Sequence, residues 1–385
     1  MLKVDSKFMK ITYTVFALSW FVGDYTGNWH DDYKYAFWIL SLCFGMLPII
    51  YYALGYRKKE DKWDFYTLKN VLMVVVVFAI VSICAMPFNG FHLVMWKDLY
   101  YILMPAVYIF VIVNLDKSEN LDYYIDLVFW GFVVNFLLIA KISSFTPANF
   151  ASISFADSYS PWESGLADVY GICFFYYYSR KKKGKCVIAA ILNILSFKRL
   201  NLFFMIFYIF AEPFLKNKPV PKSVQLLAKI ALVASPIFIL ACTSDTFSAW
   251  FEMQFGMDLN GFTMGRFNQI NMINDLEENM TGLGMTHLML LKYDFDIHRL
   301  HCDILRILIE TTPVGLVVFV NCFLNIAKRN QKAFSLMAFF LIVMVSSTCM
   351  ENTFYWFLIY LVIESLERVR KSEEAGNNGE QIANS

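Results

Sequence analysis

Two cations, Lys198 and Arg199, stand in the middle of a largely apolar stretch, residues 186–215. Fixed charge within a membrane segment is costly, and where it occurs it marks a functional position by default. A basic cluster, Arg180-Lys181-Lys182-Lys183-Gly184-Lys185, precedes the stretch, and Lys216, Lys218 and Lys222 follow it. Short loops rich in Lys and Arg face the cytoplasm, so an even number of crossings must separate the two flanks. Zero crossings would leave a long apolar segment in water. Two are therefore expected, with Lys198-Arg199 near the far apex. The legs hold about a dozen and about sixteen residues, against roughly 20 for a full span. At ~1.5 Å rise per residue the shorter leg reaches ~16–18 Å. The pair is expected below the outer surface, within reach of a water-filled recess, and the ligand it fits is an anion arriving from that side.

A second constellation lies in residues 243–300, a loop of about 60 residues and too long for a connector. It holds Arg266 after Gly265, the turn Gly282-Leu283-Gly284, and the acidic pair Asp294 and Asp296. Three of the five histidines fall here or at its edge: His287, His298 and His301. The chain re-enters the membrane through His301-Cys302-Asp303-Ile304-Leu305-Arg306, with Glu310 one turn further on. In a helix the 3.6-residue period puts Asp303, Arg306 and Glu310 on one face, and a carboxylate near the helix start suits the positive end of the dipole. For Arg306 and Glu310 the favoured reading is a buried ion-pair ladder that orients the helix. His301 lies roughly opposite that face, where the chain enters. An unperturbed imidazole has a pKa of about 6.5, so it can take a proton from a hydroxyl near neutral pH. On spacing alone, a loop histidine is more often merely solvated.

The elements that must position these groups are membrane helices. Of 385 residues, 58% are apolar, 18% aromatic and 17% charged, the last well below the ~25% of soluble domains. The basic residues punctuate apolar segments and form no continuous face, which excludes nucleic acid as a partner. Apolar windows at 8–22, 35–54, 68–87, 95–114, 122–140, 164–179, 186–197, 199–215, 224–242, 301–326, 333–350 and 352–366 predict an all-α polytopic protein with about twelve transmembrane helices. Spans at this count put the Lys/Arg-rich loops on one side and loops 23–34, 88–95, 141–163 and 243–300 on the other, with both termini cytoplasmic. Residues 1–370 read as one transmembrane domain and 371–385 as a polar, disordered cytoplasmic tail. Lys3, Lys7 and Lys10 precede an uncleaved first span, since no small-residue cleavage site follows. The eight cysteines show no zinc spacing; Cys242 and Cys302 bracket the large loop and are the one pair placed to bridge its base. Aromatic runs such as Phe174-Phe175-Tyr176-Tyr177-Tyr178 read as interface belts and packing, with Trp29, Trp162 and Trp250 as candidates to stack on a sugar.

Residue order adds what spacing does not. The succession Ser196-Phe197-Lys198-Arg199, Gly265-Arg266, Gly282-Leu283-Gly284, His301-x-Asp303-x-Leu305-Arg306, Glu310 and Gly315 resembles the O-antigen polymerase and O-antigen ligase superfamily. These are integral membrane glycosyltransferases of bacterial surface polysaccharide assembly. The resemblance covers most of the chain in span number, loop placement and size, with residue-level support at 196–199 and 265–315. It implies a GT-C-like architecture in the bacterial inner membrane, with a large periplasmic loop before the last three spans. The implied substrate is an undecaprenyl-diphosphate-linked oligosaccharide held among membrane lipid, and the implied transfer uses no metal or cofactor. A chain-length regulator protein is an implied partner. By position, the resemblance makes His301 the base, Arg199 and Arg266 the diphosphate ligands with help from Lys198, and Asp303, Arg306, Glu310 and His298 supporting residues. The chain departs from the family pattern at Cys302, where Asn or Ser is frequent, and at Thr312-Pro313, where a Gly often follows the glutamate. Both departures bear on local helix geometry more than on reaction class.

The chemistry needs these residue types. No nucleotide sugars exist outside the cytoplasm, so a sugar must arrive there on a lipid diphosphate. Breaking its bond leaves growing negative charge on the diphosphate, which fixed cations stabilise. Arginine binds phosphate oxygens bidentately and stays charged when half buried. Three alternatives remain open. Ligation to a lipid A core would use much the same residues, although the two motifs around Arg199 and His301 look more like polymerases. A metal-dependent transferase would use Asp24, Asp31 and Asp32 in the first outer loop, or Asp294 and Asp296. A lipid-oligosaccharide flippase would use Lys198-Arg199 as a substrate site, although no inverted repeat is visible.

Overall fold

The computed structural model describes residues 6–26, 31–55, 63–116, 121–140, 142–154, 160–163, 167–276, 278–293 and 299–383. Among them the chain is all helix. In order these are α1 (Ser6–Thr26), α2 (Asp31–Gly55), α3 (Tyr66–Asn89), α4 (Leu93–Leu115), α5 (Asp122–Ala140), α6 (Pro147–Ala151), α7 (Ala167–Ser179), α8 (Lys183–Ser196) and α9 (Arg199–Ala211). There follow α10 (Lys222–Cys242), α11 (Asp245–Phe255), α12 (Leu259–Phe262), α13 (Arg266–Asp275), α14 (Met285–Lys292), α15 (Asp303–Ala327), α16 (Gln331–Val343) and α17 (Thr353–Ala383). Stretches of α2, α3, α4, α10 and α15 are long and apolar enough to cross a bilayer. The chain is a helical membrane protein, and helices also occupy the remaining predicted windows.

Contacts sort the connections onto two ends. At one end Lys182 pairs with Asp122 at 2.6 Å and Lys185 with Asp126 at 2.5 Å. Arg368 donates to the Asp116 carbonyl at 3.2 Å, and Val220 N–H donates to the Lys328 carbonyl at 3.0 Å. The Lys10 ammonium stands 5.4 Å from the Tyr123 ring at this end too. At the other end Asn89 donates to the Thr281 carbonyl at 2.6 Å, Leu283 N–H to Ser82 Oγ at 3.0 Å, and Arg299 pairs with Glu351 at 3.1 Å. The described Lys/Arg-rich loops thus share one end, and the described part of 243–300 sits at the opposite one.

The segment 186–215 forms the expected helical hairpin. Helix α8 has 14 residues and α9 has 13, each ~20 Å long and short of the ~30 Å hydrocarbon thickness. Phe197 ends α8 in a left-handed conformation (φ 42°) that glycine more often supplies, and Lys198 is extended before α9 begins at Arg199. Helix α7, with 13 residues, packs against both legs.

A main core runs through the bundle around Trp356, Tyr108, Phe319 and Phe323, all buried. A second apolar cluster, including Ile239, Ile270, Ile273, Met285, Leu300 and Leu305, binds the large loop onto α10 and α15. This small core is what gives Arg266 and His301 fixed positions. Helix α15 breaks at Thr312 (φ 65°, ψ 170°), the residue before Pro313, whose missing N–H cannot continue the helical hydrogen-bond ladder. The chain after residue 371 differs from the sequence expectation of a disordered tail: α17 continues through Ala383. Arg370 pairs with Glu367 at 2.7 Å and Glu374 at 2.5 Å along it, the i,i+3 and i,i+4 spacing that supports a helix. All eight cysteines are free, so Cys242 and Cys302, both buried, form no bridge.

Candidate functional site

The apex of the α8–α9 hairpin is fastened by Asp168, a buried carboxylate of α7. Its Oδ2 lies 2.7 Å from Lys198 Nζ, and its Oδ1 accepts from Asn201 Nδ2 at 2.7 Å. Lys198 and Asn201 flank Arg199 in sequence, so this clamp fixes where Arg199 points. Arg199 Nη2 donates to the Phe262 carbonyl, and its guanidinium carbon stands 4.3 Å from the Phe262 ring centroid. Its Nη1 is buried without a hydrogen-bond partner, a costly state for a charged donor.

Arg266 opens α13. Met264 (φ 57°) and Gly265 (φ 78°) turn the chain sharply before it, and open space surrounds the Gly265 Cα, so the glycine serves the turn rather than a close approach. The guanidinium is half-buried and makes no ion pair or side-chain hydrogen bond among the described residues. Burial and then the charge of Arg199 push its pKa down, while Glu163 and Asp168 act against that. The group remains a cation near neutrality.

His301 precedes α15, with its backbone N–H donating to Gln269 Oε1 at 3.2 Å. Gln269 lies one turn beyond Arg266 on α13, so this bond ties the histidine to the arginine's helix. The imidazole pKa is lowered, first by burial, then by Arg266, Lys198 and Arg299. The ring is therefore neutral at pH 7 and able to accept a proton. No described side chain hydrogen-bonds to it. Glu163 completes the electrostatic neighbourhood: burial raises its pKa while Lys198, Arg266 and Arg199 lower it.

The structure thus gathers Lys198, Arg199, Arg266 and His301 into one neighbourhood at the end opposite the basic loops. Lys198 differs from expectation, because its charge is already matched by Asp168. The arginines are the cations of this group that make no ion pair among the described residues. Arg306 and Glu310 form the expected buried ladder, at 3.1 Å, and the structure extends it. Arg306 also pairs with Asp98 of α4 and with Glu351 at 2.8 Å. Glu310 accepts from Gly284 N–H at 2.9 Å, Thr286 N–H at 3.1 Å and the Thr286 hydroxyl at 2.5 Å, bolting the glycine turn to α15. A Cβ on Gly284 would stand 2.5 Å from a Val94 methyl, so that turn requires glycine. Asp303 shares the face but joins no ladder: its Oδ2 accepts from the Cys349 and Met350 N–H groups, the latter at 2.7 Å.

His298, Asp294, Asp296 and Trp29 lie outside the described residues, as do the side chains of Asp24, Asp31 and Asp32. Trp162 is a packing residue, buried against Phe145 at 4.9 Å with its indole N–H on Ser144 Oγ at 2.8 Å. Sequence reasoning passed over Asp168, Asn201, Phe262, Gln269 and Glu163. Only Asp168 carried a local signal, as a carboxylate within a predicted span. Directly below the apex, Leu200, Phe203, Phe207, Val224, Phe334 and Ile342 line part of an apolar groove of about 600 Å³ between α9, α10 and α16. Compared with known proteins, the chain matches no family model, no curated protein and no solved structure.

Proposed function

We propose that this protein is a membrane glycosyltransferase that joins undecaprenyl-diphosphate-linked oligosaccharide units into an O-antigen or capsular type of polysaccharide at the periplasmic face of a bacterial inner membrane. The observation that carries the reading is the meeting of Arg199 and Arg266, neither in an ion pair among the described residues, with the neutral imidazole of His301. Positive-inside charge bias sets the Lys/Arg-rich end and both termini in the cytoplasm, and about twelve spans of a GT-C-like architecture fit the helix order.

In this reading the acceptor sugar's hydroxyl loses its proton to His301 and its oxygen bonds to the anomeric carbon of the donor. The bond from that carbon to the diphosphate oxygen breaks with its electron pair. The departing diphosphate is held by Arg199 and Arg266, whose fixed charges favour the transition state over the bound substrate. Arg199 Nη1 has a free proton to offer. The apolar groove that begins at Leu200 gives a polyprenyl tail a place beside its headgroup. Lys198 acts through the apex and not on the diphosphate. No metal has a step here. A chain-length regulator would act on this end, and transfer of finished polymer to a lipid A core would use the same recess with another acceptor.

Purified protein given lipid-linked repeat units in detergent, with no ion gradient and with chelator present, should build oligomers of increasing length. Absence of product, with gradient-dependent movement of the same lipid across vesicles, would overturn the reading in favour of a flippase. Product only when a lipid A core acceptor is added would make it a ligase.

A further inference from the structure

We propose that α11 lies flat in the membrane interface at the end of α10, its apolar face seated at the boundary between headgroups and acyl chains. The occupant of that face is lipid. At 100° per residue, Trp250, Phe247 and Phe251 fall within about 100° of one another with Met253 and Phe255 at the edges of the same side and Gln254 among them, while Asp245, Ser248 and Glu252 cluster on the other. Ser244 Oγ caps the start by accepting from Phe247 N–H at 3.4 Å, and Gly256 (φ 65°) closes the end. The element is therefore a complete amphipathic helix of 11 residues.

Apart from Phe262 against Phe251, little among the described residues covers its apolar side. No residue of α11 is buried; Met253 is 74% exposed, Phe255 55% and Trp250 47%. The rings pack chiefly on each other, with Phe247 and Trp250 at 5.3 Å and Phe251 and Phe255 at 4.7 Å. Continuity with the bilayer-crossing surface identifies what covers them. Helix α10 is apolar and long enough to span, and near its end Ile237 and Phe238 are 69% and 68% exposed, a surface that hydrocarbon must cover. Only Thr243 and Ser244 separate α10 from α11, so α11 starts at the level where α10 leaves the bilayer. Trp and Phe at headgroup depth satisfy both their apolar bodies and their position.

The helix carries two acids and no Lys or Arg. Its insertion is thus driven by apolar burial and does not depend on anionic lipid or on low salt. Phe251 packs at 5.6 Å against Phe262, whose ring lies 4.3 Å from the Arg199 guanidinium, so a lipid-seated α11 is joined through Phe262 to Arg199. The inference rests on α10 crossing the bilayer and is independent of the glycosyl-transfer reading.

The test uses the full chain in nanodiscs of phosphatidylcholine, with tryptophan fluorescence of the wild type compared with Trp250→Phe to isolate one of nine tryptophans. Phosphatidylcholine brominated near the top of the acyl chain should quench the Trp250 component, aqueous acrylamide should quench it weakly, and neither result should change in high salt. Met253→Glu, read through the same component, should cut the bromolipid quenching at least twofold. A Trp250 component open to acrylamide and insensitive to brominated lipid would overturn the proposal, as would quenching that Met253→Glu leaves unchanged.

Discussion

Lys198 Nζ lies 2.7 Å from Asp168 Oδ2, and this one ion pair divides the work of two adjacent cations. Lys198 holds the hairpin apex to α7, while Arg199 lies against Phe262 with its Nη1 buried and unpartnered. Removing Lys198 alone leaves a buried carboxylate uncompensated, at a cost of about 3 kcal/mol or more. Lys198→Met should therefore lower the melting temperature in detergent, and adding Asp168→Leu should restore most of it. A Lys198→Met variant as stable as wild type would show that the pair does not fasten the apex.

Arg199→Ala should reduce polymer formation by roughly 10²-fold or more, the usual effect of losing one donor to a developing anion. Arg199→Lys should fall between, since lysine keeps the charge but not the bidentate fork. The check is initial rate on lipid-linked units with folding verified by melting. Wild-type rates in both variants would make Arg199 structural.

His301 has a lowered pKa, so the neutral imidazole that the proposed transfer uses as its base is present above that value and is lost as pH falls through it. The acid limb of the rate profile should lie below pH 6.5, the ordinary imidazole value. The charge of Arg266 contributes to the depression, so Arg266→Gln should move the limb upward, toward 6.5, besides lowering the rate. A limb that stays in place in Arg266→Gln would separate the two residues. His301→Ala should insert normally and form no polymer.

The Arg306 network holds three carboxylates, Asp98, Glu310 and Glu351. Arg306→Met removes their shared counter-charge and should destabilise the protein by about 3–5 kcal/mol. Glu310→Ala should cost less in charge but free the Gly284 and Thr286 N–H groups, loosening the loop. Thermal melting checks the first, and protease sensitivity between residues 276 and 293 checks the second. Unchanged melting of Arg306→Met would refute the ladder.

Thr312 adopts a backbone conformation (φ 65°, ψ 170°) that suits glycine, a strain of the order of 1–3 kcal/mol for other residues. Thr312→Gly should raise stability by about 1 kcal/mol. A clear loss of stability would mean that α15 does not break there.

Much of this was legible in the sequence because it is governed by costs local to the chain. Apolar run length, Lys/Arg placement and the short legs around Lys198-Arg199 set the helices, their grouping onto two ends and the charged apex. The 3.6-residue period set Arg306 and Glu310 on one face. Other features depend on which distant segments meet, and no local pattern records that. Asp168 claims Lys198 from 30 residues away, Asp98 reaches Arg306 across 208, and Gln269 ties His301 to the helix of Arg266 across 32. The free state of Cys242 and Cys302 was likewise decided by neighbours in space. A buried charge announces in the sequence that it needs a partner; only packing of the helices determines which one it finds.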